Sequence, residues 1–319
     1  MLTTHSIFEQ MNELGAAKVP FFFMIDFLKE KGEVIALEDL PSDIQFSLHE
    51  EKLNLSPVDF SFEKYPISSE EYQKQFRIVH DHLMFGNSYL TNLTCATPIK
   101  TNLTLQQIYT HTQAKYKLNY KNQFVCFSPE TFVQIKEGTI ASYPMKGTID
   151  AAIPDAQSKI LNDEKEAAEH ATIVDLIRND LSLVANQVTV TKYRYIDELI
   201  TNDKKLLQVS SEIIGQLPSN YHEQLGTILD QLLPAGSICG APKKKTVEII
   251  LEAEVYNRHF YTGVFGVFDG ENLDSAVMIR FIERENEQLI FKSGGGITAK
   301  SDCENEYNEM IQKVYVPIY

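Results

Sequence analysis

Apolar and polar positions alternate with a period of two along several stretches of this chain, and recur at helical spacing along others. Thr131-Phe-Val-Gln-Ile-Lys136 alternates, pauses at Glu137-Gly138 and resumes as Thr139-Ile-Ala-Ser-Tyr143. Alternation on both sides of a two-residue turn containing glycine predicts a β-hairpin. The same pattern predicts strands at 87–97, 123–144, 187–195, 206–217, 261–269, 273–282 and 287–295, with a second hairpin signal at Asp269-Gly270. Helical spacing is clearest where Tyr72, Phe76, Val79 and Leu83 share a face, with Ser68 and Glu71 as a capping box and Gly86 as the stop. Further helices are expected at 103–116, 158–185, 221–233, 242–254 and 301–314. Residues 1–66 read as a short strand-rich segment packed on a main body of 67–319. The frequent hairpins imply antiparallel pairing, so the expected class is α+β, with helices packed on sheets.

Composition narrows the setting. A hydrophobic fraction of 43% suits a globular protein with a substantial core. The longest apolar burst near the N-terminus, Val19-Pro-Phe-Phe-Phe-Met-Ile25, falls well short of the roughly 18 residues a membrane span needs. The first residues have neither the basic region nor the apolar core of a signal peptide, so a cytoplasmic location is expected. Cys95, Cys126, Cys239 and Cys303 are scattered, without a C-x-x-C pair, which speaks against a zinc ribbon or a disulfide framework. With 44 acidic against 29 basic residues the net charge is −15, a field that repels nucleic acid. An anionic small substrate would need local positive potential or a metal.

Four features carry candidate chemistry. Lys146 lies in Tyr143-Pro-Met-Lys-Gly-Thr148, where glycine and a hydroxyl let backbone approach a ligand. Hairpin register sets position 130 opposite 145, placing Glu130 one step from Lys146; the two are either a nucleophile with a general acid or base, or a surface ion pair. Glu166 and Glu169, and again Glu306 and Glu309, are spaced i, i+3 on predicted helices. Carboxylates from two such helices meeting at one point would suit Mg²⁺, although a solvated face is the commoner explanation of one pair. Ser293-Gly-Gly-Gly-Ile-Thr298, between a strand and a helix, lets backbone amides converge on an anion, and Arg280 ends a nearby strand. Leu233-Pro-Ala-Gly-Ser-Ile-Cys-Gly-Ala-Pro-Lys-Lys-Lys245 opens a helix at Pro242, with Ser237 and Gly240 read as capping residues.

From about residue 70 onward the chain resembles the chorismate-utilising enzymes of the anthranilate synthase and aminodeoxychorismate synthase component I group. Five blocks in family order carry the resemblance: Ser128-Pro-Glu-Thr-Phe132, Pro144-Met-Lys-Gly-Thr148, Glu169-His-Ala-Thr-Ile-Val-Asp-Leu-Ile-Arg-Asn-Asp-Leu181, Pro234-Ala-Gly-Ser-Ile-Cys-Gly-Ala-Pro-Lys243, and Gly294-Gly-Gly-Ile-Thr-Ala-Lys-Ser-Asp302 running into Glu306-Tyr-Asn-Glu309. The resemblance implies two packed, mostly antiparallel sheets with helices outside. It implies Mg²⁺ held by Glu169 and Glu309, and substrate carboxylates held by Tyr261, Arg280 and the amides of Gly294, Gly295 and Gly296. Gly147 and Thr148 would line the ring, and Glu130 would be the general acid or base.

Lys146 discriminates within the group. Anthranilate synthases usually carry alanine there, whereas aminodeoxychorismate synthases carry a lysine that attacks chorismate. The implied activity is therefore conversion of chorismate and ammonia to 4-amino-4-deoxychorismate, on the way to p-aminobenzoate and folate, with ammonia from a separate glutaminase subunit. Anthranilate synthesis and non-catalytic chorismate binding are the alternatives. Leu90 stands where isochorismate-forming relatives place a water-activating lysine, which disfavours water as nucleophile. Gln208 and Phe281 also depart from the usual pattern. The chain lacks much of the N-terminal half in which relatives keep a tryptophan pocket, so feedback control is not expected.

Overall fold

The computed structural model describes residues 2–50, 58–200 and 205–318. Among the described residues two sheets, of ten and eight strands, pair antiparallel throughout. They face each other through Phe22, Met24, Phe265 and Met278 of the larger sheet and its loops, and Leu118, Tyr120, Phe124 and Phe281 of the smaller. Helices cover the outer faces. Thr4–Ala16, Glu164–Leu181 and Leu225–Leu232 lie on the larger sheet, and Ser69–Phe85, Lys243–Ala253 and Cys303–Gln312 on the smaller. Among the described residues no helix is long and apolar enough to cross a membrane.

The strand Phe21–Ile25 is buried at all five positions because it has core on both sides. Phe21, Phe23 and Ile25 face the helices, while Phe22 and Met24 face the second sheet. Each such side chain is worth roughly 1.5–3 kcal/mol of burial. This strand pairs with Val264–Phe268, so residues before 66 form part of the larger sheet itself. That segment also contains the helix Thr4–Ala16, which alternation did not predict. The capping box at Ser68 and Glu71 forms as expected, and Gly86 ends its helix at φ 85.

Four other elements differ from the expected pattern. The helix expected over 158–185 is two, Ala156–Asn162 and Glu164–Leu181, divided where the Asp163 side chain accepts from the Glu166 amide. The helix expected over 103–116 spans only Leu105–His111, and a strand begins at Tyr116. The strands expected over 123–144 and 273–282 are each broken because the chain changes sheets. Phe124–Ser128 belongs to the smaller sheet and Thr131–Lys136 to the larger; Leu273–Val277 and Phe281–Glu285 are divided in the same way.

Candidate active site

The two crossings between sheets run side by side. Val277 donates its amide to the Glu130 carbonyl at 3.2 Å, and Phe127 donates to the Arg280 carbonyl at 3.2 Å. Glu130 and Arg280 are therefore brought together at the seam between the sheets, held by backbone. Arg280 has φ 51, and its guanidinium lies 4.8 Å from the centre of the Tyr315 ring. That left-handed conformation is uncommon for a long side chain and turns Arg280 out of the ladder.

The hairpin at Glu137-Gly138 has the expected register, with Thr139 opposite Lys136, but its described ladder reaches only Ala141 opposite Gln134. Position 145 is thus not laddered against Glu130, as simple register had suggested. Met145–Asp150 pairs instead with Lys205–Gln216, and between Met145 opposite Ser210 and Thr148 opposite Gln208 it carries one extra residue. This bulge contains Lys146 and Gly147, the latter at φ 85, and presents Lys146 away from the regular ladder. The Lys146 ammonium meets Glu169 Oε2 at 2.7 Å. Burial alone would lower the Lys146 pKa, but Glu169, with Glu166 and Glu309 behind it, holds it above the ordinary lysine range.

A cavity of about 820 Å³ opens here, with Glu130, Lys146, Glu169, Ser237 and Gly296 in its wall. It shares Glu130, Lys146, Ser237 and Gly296 with a deeper chamber of about 190 Å³ that adds Tyr261, Arg280, Gly294, Gly295 and Lys313. Glu130 accepts a hydrogen bond from the Ser237 hydroxyl. Burial raises the Glu130 pKa, and Ser237 and Lys313 only partly offset this. Such a carboxyl keeps its proton to higher pH than an ordinary glutamate and can deliver it to a leaving group.

The glycine run is not a loop between strand and helix. It belongs to the strand Gln288–Ile297, paired with Leu90–Thr101 on one edge. The neighbour on the other edge, Phe281–Glu285, begins opposite Lys292, so the edge beyond faces the chamber. Lys313 donates to the Gly294 carbonyl at 2.9 Å from that side. A side chain would not fit at Gly294, where a Cβ would lie 2.2 Å from the Leu93 carbonyl oxygen, whereas one on Gly295 would lie 3.3 Å from Glu309 Oε1, a close contact with a flexible side-chain end.

Glu309 reaches this edge from the helix Cys303–Gln312 and pairs with Lys313 at 2.7 Å. Gly147 and Thr148 stand off both chambers. A Cβ on Gly147 would lie 3.0 Å from Glu166 Oε2, and Thr148 is exposed beside Gln208, opposite it in the ladder. Among the described residues no group of three or more acidic, histidine or cysteine side chains stands ready to hold a metal. The two candidate ligands, Glu169 and Glu309, nevertheless offer carboxylate oxygens, the donors a hard divalent cation prefers.

Lys313 and Ser237 are among the lining residues that the sequence does not single out as binding groups. Lys313 follows Glu309 by one helical turn, a spacing that was legible. Ser237, read as a cap, instead hydrogen-bonds Glu130 from the short helix Gly236–Cys239, and nothing in its local pattern indicates that. Of the three departures, Leu90 walls the larger cavity, while Phe281 is core, stacked on Phe124 at 4.8 Å. Gln208 lies 3.5 Å from the Thr148 hydroxyl.

Comparison with known proteins shows the family and the fold. A family model described as chorismate binding enzyme matches residues 28–318. A PabA-like protein of Haemophilus influenzae is 50% identical over 320 residues, covering 99% of this chain and 98% of its own. Aminodeoxychorismate synthase component 1 of Escherichia coli is 32% identical over 265 residues, covering 78% of this chain and 57% of that protein. Among solved structures, anthranilate synthase component I of Streptococcus pneumoniae aligns with a TM-score of 0.63 and 26% identity, over 82% of this chain and 60% of that one. An isochorismate synthase of Bacillus anthracis shares the fold, with a TM-score of 0.72 and 21% identity over 97% of this chain and 88% of its own. The chain belongs to the chorismate-binding enzyme family and is a chorismate-utilising enzyme.

Proposed function

We propose that this enzyme aminates chorismate to 4-amino-4-deoxychorismate, as the synthetic partner of a glutaminase that supplies ammonia. The observation that carries the reading is Lys146, an amine in the cavity wall that also contains the raised carboxyl of Glu130. Arg280, Tyr261, Lys313 and the open edge at Gly294 line the deeper chamber, and there they would receive the substrate's carboxylates. Lys146, once neutral, attacks C2 while both conjugated ring double bonds shift toward C4 and the 4-hydroxyl leaves as water with the proton of Glu130. Ammonia then adds at C4, both double bonds shift back, the Lys146 amine is expelled, and the Glu130 carboxylate takes the proton that the added nitrogen loses. The balance is chorismate plus ammonia to aminodeoxychorismate plus water. Glu169 and Glu309 are the residues that would hold Mg²⁺, which supplies positive charge to the substrate's carboxylates.

The test is product identification by mass spectrometry after incubation with chorismate, ammonium and Mg²⁺, with and without an added aminodeoxychorismate lyase. A product of the aminodeoxychorismate mass, convertible to p-aminobenzoate, supports the reading. Anthranilate with pyruvate overturns it in favour of the anthranilate synthase reaction.

A further inference from the structure

Two bulges flank one serine. Ser211 lies in the strand Lys205–Gln216, whose edges carry Met145–Asp150 and Asn186–Ile200. On one side the extra residue falls at Lys146-Gly147. On the other, between Lys192 opposite Glu212 and Tyr195 opposite Ser210, Asn186–Ile200 also carries one extra residue, with Arg194 at φ 50. Ser211 ties both bulges together. Its amide donates to the Pro144 carbonyl at 3.0 Å, and its hydroxyl accepts from the Arg194 amide at 3.0 Å. The hydroxyl also meets His170 Nε2 at 2.7 Å. His170 follows Glu169 on its helix and is 1% exposed; its Nδ1 is buried with no hydrogen-bond partner among the described residues, and the Lys146 backbone lies beside the ring. Arg194 and Tyr193 are the groups that face the imidazole from the neighbouring strand. Neither His170 nor Ser211 lines either chamber.

We propose that His170 and Ser211 form a positioning clamp that sets the Lys146 bulge against the Glu169 helix, so that the amine stands at attack distance from the substrate. The proposal rests on the reading of Lys146 as nucleophile. The clamp touches the helix and the nucleophile's strand but not the glycine edge, Arg280 or Tyr261. Its loss therefore misplaces the amine while leaving substrate binding intact, and misplacement on the scale of 1 Å costs a reaction of this kind about 10²-fold.

The experiment measures kcat and KM for chorismate, with ammonium and Mg²⁺, in Ser211→Ala, His170→Leu, His170→Gln and Lys146→Ala, each checked by circular dichroism and thermal midpoint. Ser211→Ala deletes one buried oxygen, and the glutamine of His170→Gln reaches the Ser211 hydroxyl as Nε2 does. The expected result is a fall in kcat of about 10- to 100-fold in Ser211→Ala and His170→Leu, KM within roughly twofold of wild type, and substantial rescue in His170→Gln. Wild-type kcat in folded Ser211→Ala, with Lys146→Ala inactive, overturns the clamp alone. Parallel changes in kcat and KM, with His170→Gln no better than His170→Leu, mean that the pair is merely structural and also overturn it. Full activity in Lys146→Ala removes the underlying reading, and the clamp with it.

Discussion

Lys146 and Glu169 are each other's partner, Nζ to Oε2 at 2.7 Å, so the proposed nucleophile and a proposed metal ligand satisfy one another. The pair holds the amine in its charged, non-nucleophilic form until the carboxylate is otherwise engaged. Lys146→Ala should abolish aminodeoxychorismate formation while leaving chorismate bound, and Lys146→Arg should not restore it, because a guanidinium stays charged. Product mass spectrometry with calorimetric titration of chorismate checks both halves.

Glu130 and Ser237 should differ in severity. Glu130→Gln removes the proton donor and should lower kcat by about 10²–10⁴-fold. Ser237→Ala removes only the hydroxyl that orients the carboxyl, and the loss expected in steady-state kinetics is nearer tenfold.

Chelation of Mg²⁺ should stop turnover, with recovery on adding the ion back. Glu169→Gln and Glu309→Gln should each raise the Mg²⁺ concentration needed for half-maximal rate, whereas Glu248→Gln, on an exposed helix face paired with Lys245, should not. Equal Mg²⁺ dependence in all three variants would contradict the assignment.

The expected elements and the observed site show what local pattern carries. The capping box at Ser68 and the hairpin at Glu137-Gly138 formed as expected, because each is decided by neighbours in sequence. The convergence of Glu130 with Arg280 was not legible from periodicity. Both residues sit where a strand leaves one sheet for the other, and that exit depends on which remote strand offers an edge. Alternation across 123–144 reads the same whether or not the chain changes sheets. Gly147 was placed on the ring from resemblance, whereas its positive φ serves the bulge that turns Lys146 outward.

Behind the deeper chamber, Arg258 and Glu254 form a buried ion pair at 2.6 Å, both side chains 2% exposed. Arg258 also donates to the carbonyls of Asn92 and Ile238, and Thr94 donates amide and hydroxyl to Glu254. Arg258→Met strands the carboxylate and should cost about 3–5 kcal/mol in urea unfolding. The double variant Arg258→Met with Glu254→Leu should recover much of that loss, since no charge is left buried alone.

Glu283, ion-paired with the fully buried Lys292, is pushed up to about 7 by burial, with Glu285 adding to the rise and Lys292 opposing it. A carboxyl raised on folding contributes stability that is present below its ordinary pKa and is lost as pH rises through about 7. His170, pushed down to about 4 by burial and by Arg194, has the opposite slope at lower pH. The informative quantity is therefore the difference between wild type and Glu283→Gln. Denaturation midpoints from pH 5 to 8 should show wild type losing ground to that variant as pH rises.

The strand Phe21–Ile25 finds its central partner, Val264–Phe268, only about 240 residues later in the chain. At roughly 5–20 residues per second of synthesis, that is an interval of about 12–50 seconds. Throughout it, the hairpin with Lys31–Ala36 covers one edge of Phe-Phe-Phe-Met-Ile and the other edge stays open, although Leu118, Tyr120 and Phe124, which meet Phe22 and Met24, are made well before the interval ends. The segment that closes the core is thus also an apolar strand with one edge left open for most of synthesis, a place where wrong edge-to-edge pairing would start.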